Sequence, residues 1–207
     1  MQKADLITSV SRRLLEASPY PEKTLLLPNA VPDSFFQHRA TIPSNKVIGF
    51  HGALYDWIDY QLLEEIADTF SDCILRLIGP VRNPRMMIGL KRRKNVEILP
   101  AFDFDMLPEI INSFTLGIIP FKDDEVARCA DPLKTYEYLS MGKCVVSTAP
   151  SIIAAPVFRY ISRKNFCAET AGCLDNLPSV EECRRAAAEH TWQNRFNALY
   201  KICGNKI

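Results

Sequence analysis

The chain has 207 residues, of which 47% are hydrophobic and 24% charged, and a net charge of +1 at neutral pH. That is enough for one sizeable core, or for one domain plus part of a second, in an ordinary globular composition. The near-even charge argues against a nucleic-acid or membrane binder driven by electrostatics.

In chain order, "ADLITSVSRRLLEA" (4–17) reads as a short strand followed by a helix. "LLLPNAVPDSFF" (25–36) is an apolar strand ending in a Pro/Asn turn, and the polar "QHRATIPSN" (37–45) reads as a linker. Apolar runs then alternate with segments of helical period. Strands are expected at "TLLL" (24–27), "KVIGF" (46–50), "CILRLIG" (73–79), "VEIL" (96–99), "TLGIIPF" (115–121) and "KCVVST" (143–148). Several are apolar at consecutive positions, as strands covered on both faces are. Helices are expected at 59–70, 82–93, 106–114 and 131–141, the first with Leu62, Leu63, Ile66 and Phe70 at helical spacing. Repeated βα units imply a parallel sheet wrapped by helices. After residue 150 the pattern is mostly helical, closing with "SVEECRRAAAEH" and "TWQNRFNALYKIC", the latter with Thr191 as N-cap.

The apolar stretch "VVSTAPSIIAAPVF" (145–158) is too short for a membrane span and holds two prolines; "MQKADLITSV" lacks the apolar core of a signal peptide. Seven cysteines form no CxxC pair, which predicts reduced, buried thiols in a cytoplasmic protein. Three histidines (38, 51, 190) show no ligand spacing, so no metal site is expected. "KRRK" (91–94) reads as a solvated helix end rather than a nucleic-acid contact.

In open parallel sheets ligands bind beyond the carboxyl ends of the strands, so the turns there are the candidates. "GFHGALYDWIDY" (49–60) has Gly49 and Gly52, which suit either close backbone approach to an anion or a plain tight turn. It is not GxGxxG, which disfavours a dinucleotide dehydrogenase. "LIGPV" (77–81) carries turn information only. "ILPAFDF" (98–104) could frame a planar base, or Phe102 could be core. "ADPLKTYEYLSMGKCVVST" (130–148) starts a helix with Asp131 as N-cap and Pro132 at N1. Lys134 then faces the positive end of the helix dipole, and Glu137 shares its face. A diphosphate over the helix start and a solvated Lys134–Glu137 pair both fit those residues.

"PLKTYEYLSMGKCVVST" resembles the donor-site signature of GT-B glycosyltransferases of the glycosyltransferase 4 / group 1 type, P-x-K-x-x-E-Y-L-x-x-G-x-x-V-V-x-T. "VIGFHGALYDWIDYQLLEEIA", "LRLIGPV" and "NVEILPAFDFDMLPEIINSFTLGIIPFK" resemble successive βα units of that family's C-terminal domain, and "HTWQNRFNAL" its closing helix. "ADLITSVSRRLLE…LLLPNAVPDSFF" resembles the end of its N-terminal domain.

The resemblance implies an α/β, Rossmann-like parallel sheet with helices on both faces, one GT-B half, with C-terminal helices crossing back. Residues 1–40 would be a remnant of the acceptor domain plus linker, and 41–207 the donor-binding domain. The implied activity is glycosyl transfer from a nucleotide-diphosphate sugar to a polysaccharide or lipid-linked acceptor, which the missing N-terminal domain would bind. No cofactor or metal is implied; peripheral membrane association of the full enzyme is compatible. Residue by residue, Gly52 and Ala53 would present backbone to the donor phosphates. Lys134 and Arg128 would neutralise the diphosphate, with Leu133 and Thr135 offering amides and Asp131 beside them. Glu137 would hold the ribose, and Ala101 and Phe102 would meet the base. Cys129 stands where many relatives carry an acid that touches the donor sugar, and the glycine loop lacks the family's cations. No catalytic residue is assigned. The alternatives are a non-catalytic nucleotide-binding or interaction module, and a sugar-nucleotide epimerase of the same fold.

Overall fold

A computed structural model describes residues 3–204. The first two and last three residues of the sequence-based domain ranges therefore lie outside the described residues. A small parallel pair comes first: β1 (Ile7–Ser9), α1 (Arg12–Glu16) and β2 (Thr24–Leu26), with Ile7 in register with Thr24. The main sheet follows with β3 (Val47–His51), α2 (Tyr60–Thr69), β4 (Ile74–Ile78), α3 (Ile88–Lys91) and β5 (Val96–Leu99). Next come α4 (Leu107–Asn112), β6 (Leu116–Ile119), α5 (Glu125–Cys129), α6 (Leu133–Ser140), β7 (Val145–Ser147) and β8 (Phe158–Tyr160). Helices α7 (Phe166–Asp175), α8 (Val180–Ala188) and α9 (Trp192–Cys203) close the chain.

The six strands β3–β8 form one all-parallel sheet in the order β5-β4-β3-β6-β7-β8. The chain works outward from β3 in one direction and then from β6 in the other, so the topological switch lies between these two strands, where doubly wound folds bind ligands. Strands β3 and β6 are buried along their whole length, which is why they read as unbroken apolar runs. Beyond them the two loops are tied together, the Asp59 amide donating to the Pro120 carbonyl at 2.9 Å and Ile58 bridging Phe121.

Local chemistry explains the helices that flank the switch. Asp59 caps α2, accepting from the Leu62 amide at 2.9 Å, and Leu62, Leu63 and Ile66 bury one face. Helix α6 runs through the core, with Tyr136, Tyr138 and Leu139 fully buried. It ends in a Schellman arrangement, Gly142 N–H to the Leu139 carbonyl and Lys143 N–H to that of Tyr138, both at 2.9 Å. The Lys143 side chain is fully buried, and its ammonium donates to the carbonyls of Thr41 and Asn112.

The segment after β2 belongs to the main body: Ala30, Val31 and Phe35 are buried, the last two within the core cluster. The Val31 amide donates to the His190 carbonyl and its carbonyl accepts from Trp192 N–H, at 3.0 and 3.1 Å. Arg195 on α9 donates to the carbonyls of Pro28 and Asn29 at 2.8 and 3.2 Å. The closing helix, which Thr191 caps by accepting from the Asn194 amide, thus crosses back onto the linker. The Leu27 amide, by contrast, donates to Ser9 and stays with the small sheet. That sheet touches the main body through Ser11 Oγ, which donates to the Cys129 carbonyl at 2.7 Å, and through an exposed Arg13–Glu125 pair.

Three expectations need correction. Helix α6 begins one residue late, with Pro132 in the cap position and no side-chain cap, because the Asp131 carboxylate is engaged elsewhere. Of the cysteines, Cys73, Cys144, Cys173 and Cys183 are buried, but Cys129 and Cys167 are half-buried and Cys203 is exposed. In the basic run, Arg93 is not a solvated cation: it ties α3 to α2 through Asp68, at 2.6 to 2.7 Å, and Glu64.

Candidate nucleotide site at the sheet switch point

At the end of β3 the backbone turns at Gly52 with φ of +123°, a region that L side chains rarely occupy. Its amide donates to the Ile78 carbonyl at 2.8 Å, closing the turn against the end of β4. Gly79 packs so tightly there that a Cβ on it would stand 2.2 Å from the Gly52 carbonyl oxygen. A Cβ on Gly52 itself would fall 2.6 Å from Lys134 Cε and 2.7 Å from Nζ. The lysine tip therefore lies in the space left by the missing side chain.

Lys134 sits in the first turn of α6, 5.4 Å from the centre of the Phe50 ring. Burial pushes its ammonium below the ordinary lysine value, and Glu137 only partly offsets that. No hydrogen bond or ion pair satisfies its Nζ among the described residues. Glu137 is buried, so a solvated surface pair is excluded. Its carboxylate Oε2 lies 3.1 Å from His51 Nε2, both side chains being about nine-tenths buried (10% and 9% exposed). Burial holds the His51 imidazole below its usual pKa in spite of Glu137, so it is neutral near pH 7. The Tyr138 hydroxyl accepts from the His51 amide at 3.0 Å and ties α6 to the end of β3.

Beside this cluster lies a cavity of about 190 Å³ lined by His51, Gly52, Gly79, Pro80, Ala101 and Phe102, among others. It is smaller than a whole small-molecule pocket, about 300–1,000 Å³. Ala101 and Phe102 follow β5 on the exposed rim; the Phe102 ring is 49% exposed and is not a core residue. Ala53 is half-buried after Gly52, and Leu133 is exposed at the helix start. The Thr135 amide is engaged by the Pro132 carbonyl at 3.0 Å, while its buried hydroxyl has no partner among the described residues.

Two expected site residues lie elsewhere. Arg128 and Asp131 line a second cavity of about 370 Å³, shared with Ser11, Arg12, Arg13 and Tyr160. Arg128 is exposed and paired with Asp123 at 2.8 Å. Asp131 is buried and accepts from the Tyr136 hydroxyl, at 2.8 and 2.9 Å, and from the Asn29 amide at 2.7 Å. These two donors, one from the linker and one from the helix, draw it away from the cap position. His51 was passed over in the sequence because no second histidine or cysteine accompanies it; its place between a strand end and Gly52 is the signal that could have found it.

No family model matches the chain. It is 24% identical over 229 aligned positions to a Bacillus subtilis (strain 168) protein named as a teichuronic acid biosynthesis glycosyltransferase, TuaH, covering 99% of this chain and 58% of that protein. Among solved structures, Anabaena HepE in complex with UDP and glucose matches with a TM-score of 0.75 at 14% identity, over 98% of this chain and 64% of that one. WaaG, a glycosyltransferase involved in lipopolysaccharide biosynthesis, matches with a TM-score of 0.74 at 14% identity, over 97% and 63%. The chain thus has the Rossmann-like fold of one half of a GT-B glycosyltransferase. It spans about three-fifths of the length of these relatives, 58% to 64%.

Proposed function

We propose that this chain is the donor-binding region of a glycosyltransferase, which holds a nucleotide-diphosphate sugar for transfer to a polysaccharide or lipid-linked acceptor. The observation that carries the reading is Lys134: a half-buried lysine at the positive end of a helix, its tip lodged over Gly52, with Glu137 offsetting only part of the burial penalty and no ion pair at its Nζ among the described residues. A diphosphate there removes the electrostatic penalty and uses the free amides of the helix start. The UDP and glucose complex of HepE supports a nucleotide sugar as ligand.

In this reading Gly52 and Ala53 present backbone to the phosphates, the Leu133 amide joins Lys134, Glu137 holds the ribose, and Ala101 and Phe102 flank the base. Arg128 supplies a second cation once it leaves Asp123, an exposed and weakly held partner. Asp131 serves the site by fixing the loop before α6. The ligand is a substrate, and the reading requires no metal or organic cofactor. Residues 1–40 are assigned to the end of an acceptor domain plus the interdomain linker, the latter packed on the main body through Val31 and Phe35, and 41–207 to the donor domain. A cytoplasmic setting, with the full enzyme at a membrane periphery, belongs to the same proposal. Among the described residues no helix is long and apolar enough to cross a membrane.

The test is thermal stabilisation by UDP, GDP and ADP. At 100 times its Kd a ligand adds about 2.7 kcal/mol, or about 5–11 °C for a chain of this size. Lys134→Ala should remove the shift; no shift with any of the three refutes the reading. Cys129 favours a second reading, a module that binds nucleotide without turnover. Its thiol faces Glu125 Oε1 at 3.7 Å and offers a sugar no carboxylate. Release of nucleotide from a donor sugar by the full-length protein separates the two.

A further inference from the structure

We propose that His51 is a positioning residue for Glu137: the imidazole holds one carboxylate oxygen so that the other faces the ribose hydroxyls of a bound nucleotide. This rests on the donor-site reading above and adds a residue to it. Three observations converge on it. Nε2 lies 3.1 Å from Glu137 Oε2, and Glu137 has no other hydrogen-bonding side chain among the described residues. His51 is itself fixed from α6, its backbone amide donating to the Tyr138 hydroxyl and its imidazole edge-on to the Tyr138 ring at 5.1 Å and 87°. His51 also lines the cavity that Gly52, Ala101 and Phe102 share, so it stands between the nucleotide space and the carboxylate.

A histidine kept only for packing would have its buried nitrogen satisfied, as nearly all buried polar groups are. Here Nε2 is buried without a well-aligned hydrogen bond. Bonds that hold ligands and reacting groups are often poorly aligned until the ligand is seated. In the tautomer with its proton on Nε2, the neutral ring donates to Oε2 and leaves Oε1 as the acceptor for a ribose hydroxyl. The Lys134 ammonium on the preceding turn is drawn to the same carboxylate.

The experiment compares His51→Gln and His51→Asn. A glutamine amide reaches about as far as Nε2, whereas an asparagine amide stops short, and both are polar enough for a buried site. Binding of UDP, GDP and ADP is measured by calorimetry for the unaltered chain and both variants. It is repeated with the 2′,3′-dideoxy counterpart of whichever diphosphate binds. Expected is a loss of about tenfold or more for the ribonucleotide in His51→Asn, recovery to within threefold in His51→Gln, and less than a twofold change for the dideoxy nucleotide in either. Equal weakening for both nucleotides, equal weakening in both variants, or no weakening overturns the proposal alone. If the unaltered chain binds no diphosphate, the donor-site reading fails and this inference fails with it. Urea melts of both variants establish that each is folded under the assay conditions, so that every binding outcome is read on folded protein.

Discussion

Gly52→Ala separates backbone strain from loss of the site. An alanine must adopt a φ of +123° or rebuild the turn, and such a conformation costs about 1–3 kcal/mol. Its Cβ would also arrive 2.6 Å from Lys134 Cε. That contact is with the far end of a flexible side chain, so the lysine swings away and stability changes little further. The expected cost is therefore about 1–3 kcal/mol, seen as a drop in Tm of about 2–12 °C. The displaced ammonium no longer covers the turn, so stabilisation by a nucleoside diphosphate should vanish even where the protein stays folded. Gly79→Ala is the comparison: its Cβ would meet the Gly52 carbonyl oxygen at 2.2 Å and carbon at 2.7 Å, which are backbone atoms with nowhere to swing. It should be the more damaging, by more than about 3 kcal/mol. Urea unfolding of both variants, with and without UDP, measures this. A Gly52→Ala protein as unstable as Gly79→Ala, or one that keeps its full nucleotide-induced shift, refutes the reasoning.

Other expectations follow from the buried charges. Burial lowers the native pKa of Lys134, so its ionised form destabilises the fold fully below that native value, and the effect fades as pH rises toward 10.5. Lys134→Met should then match or exceed the parent in urea at pH 7, lose that advantage near pH 10.5, and show no response to nucleotide. Lys143 has its pKa lowered to about 8, so the unfolded chain binds the extra proton between pH 8 and 10.5 and stability rises with pH across that window. The rise is about 3 kcal/mol from the shift of roughly 2.5 units. Urea midpoints of the parent relative to Lys143→Met should climb over that range, and parallel profiles would contradict it. Asp131→Ala strands the Tyr136 hydroxyl and the Asn29 amide. It should cost about 2–6 kcal/mol in chemical unfolding, at about 1–3 kcal/mol for each group left unpaired; a loss under 0.5 kcal/mol would contradict this.

The strands were legible where consecutive residues are apolar, because burial on both faces removes the need for alternation. "VEIL" became β5 residue for residue; the run at β3 began one residue early and stopped one short of His51, and those holding β4, β6 and β7 overran by one or two residues at each end. Strand β8 was not legible. It is three residues long, and Phe158-Arg159-Tyr160 earns its place only by parallel pairing with β7. Helix α5 escaped for a similar reason: Glu125–Cys129 is a single short turn capped by Asp124, with one buried residue. At the site, the unusual placing of Lys134 showed through because the dipole argument is local. The Asp131 misreading arose because Asn29, which competes for its carboxylate, lies 102 residues away. The pairing of His51 was hidden for the same kind of reason, its partner Glu137 lying on another element, although its position beside Gly52 was in view.

The division of bonds at the linker has a mechanical consequence. The Leu27 amide belongs to the small sheet, while the Pro28 and Asn29 carbonyls belong to Arg195 and the main body. The border between the two hydrogen-bonded bodies is thus about one residue wide, and the ring of Pro28 freezes one of the few torsions available there. If the small sheet turns relative to the large one, the pivot is this stiff joint. The Ser11–Cys129 bond and the exposed Arg13–Glu125 pair then act as a latch some hundred residues away along the chain. The cavity of about 370 Å³ beside that latch would open or shut with the turn. Gly52 and Lys134, on the far side of the joint, would keep their spacing throughout.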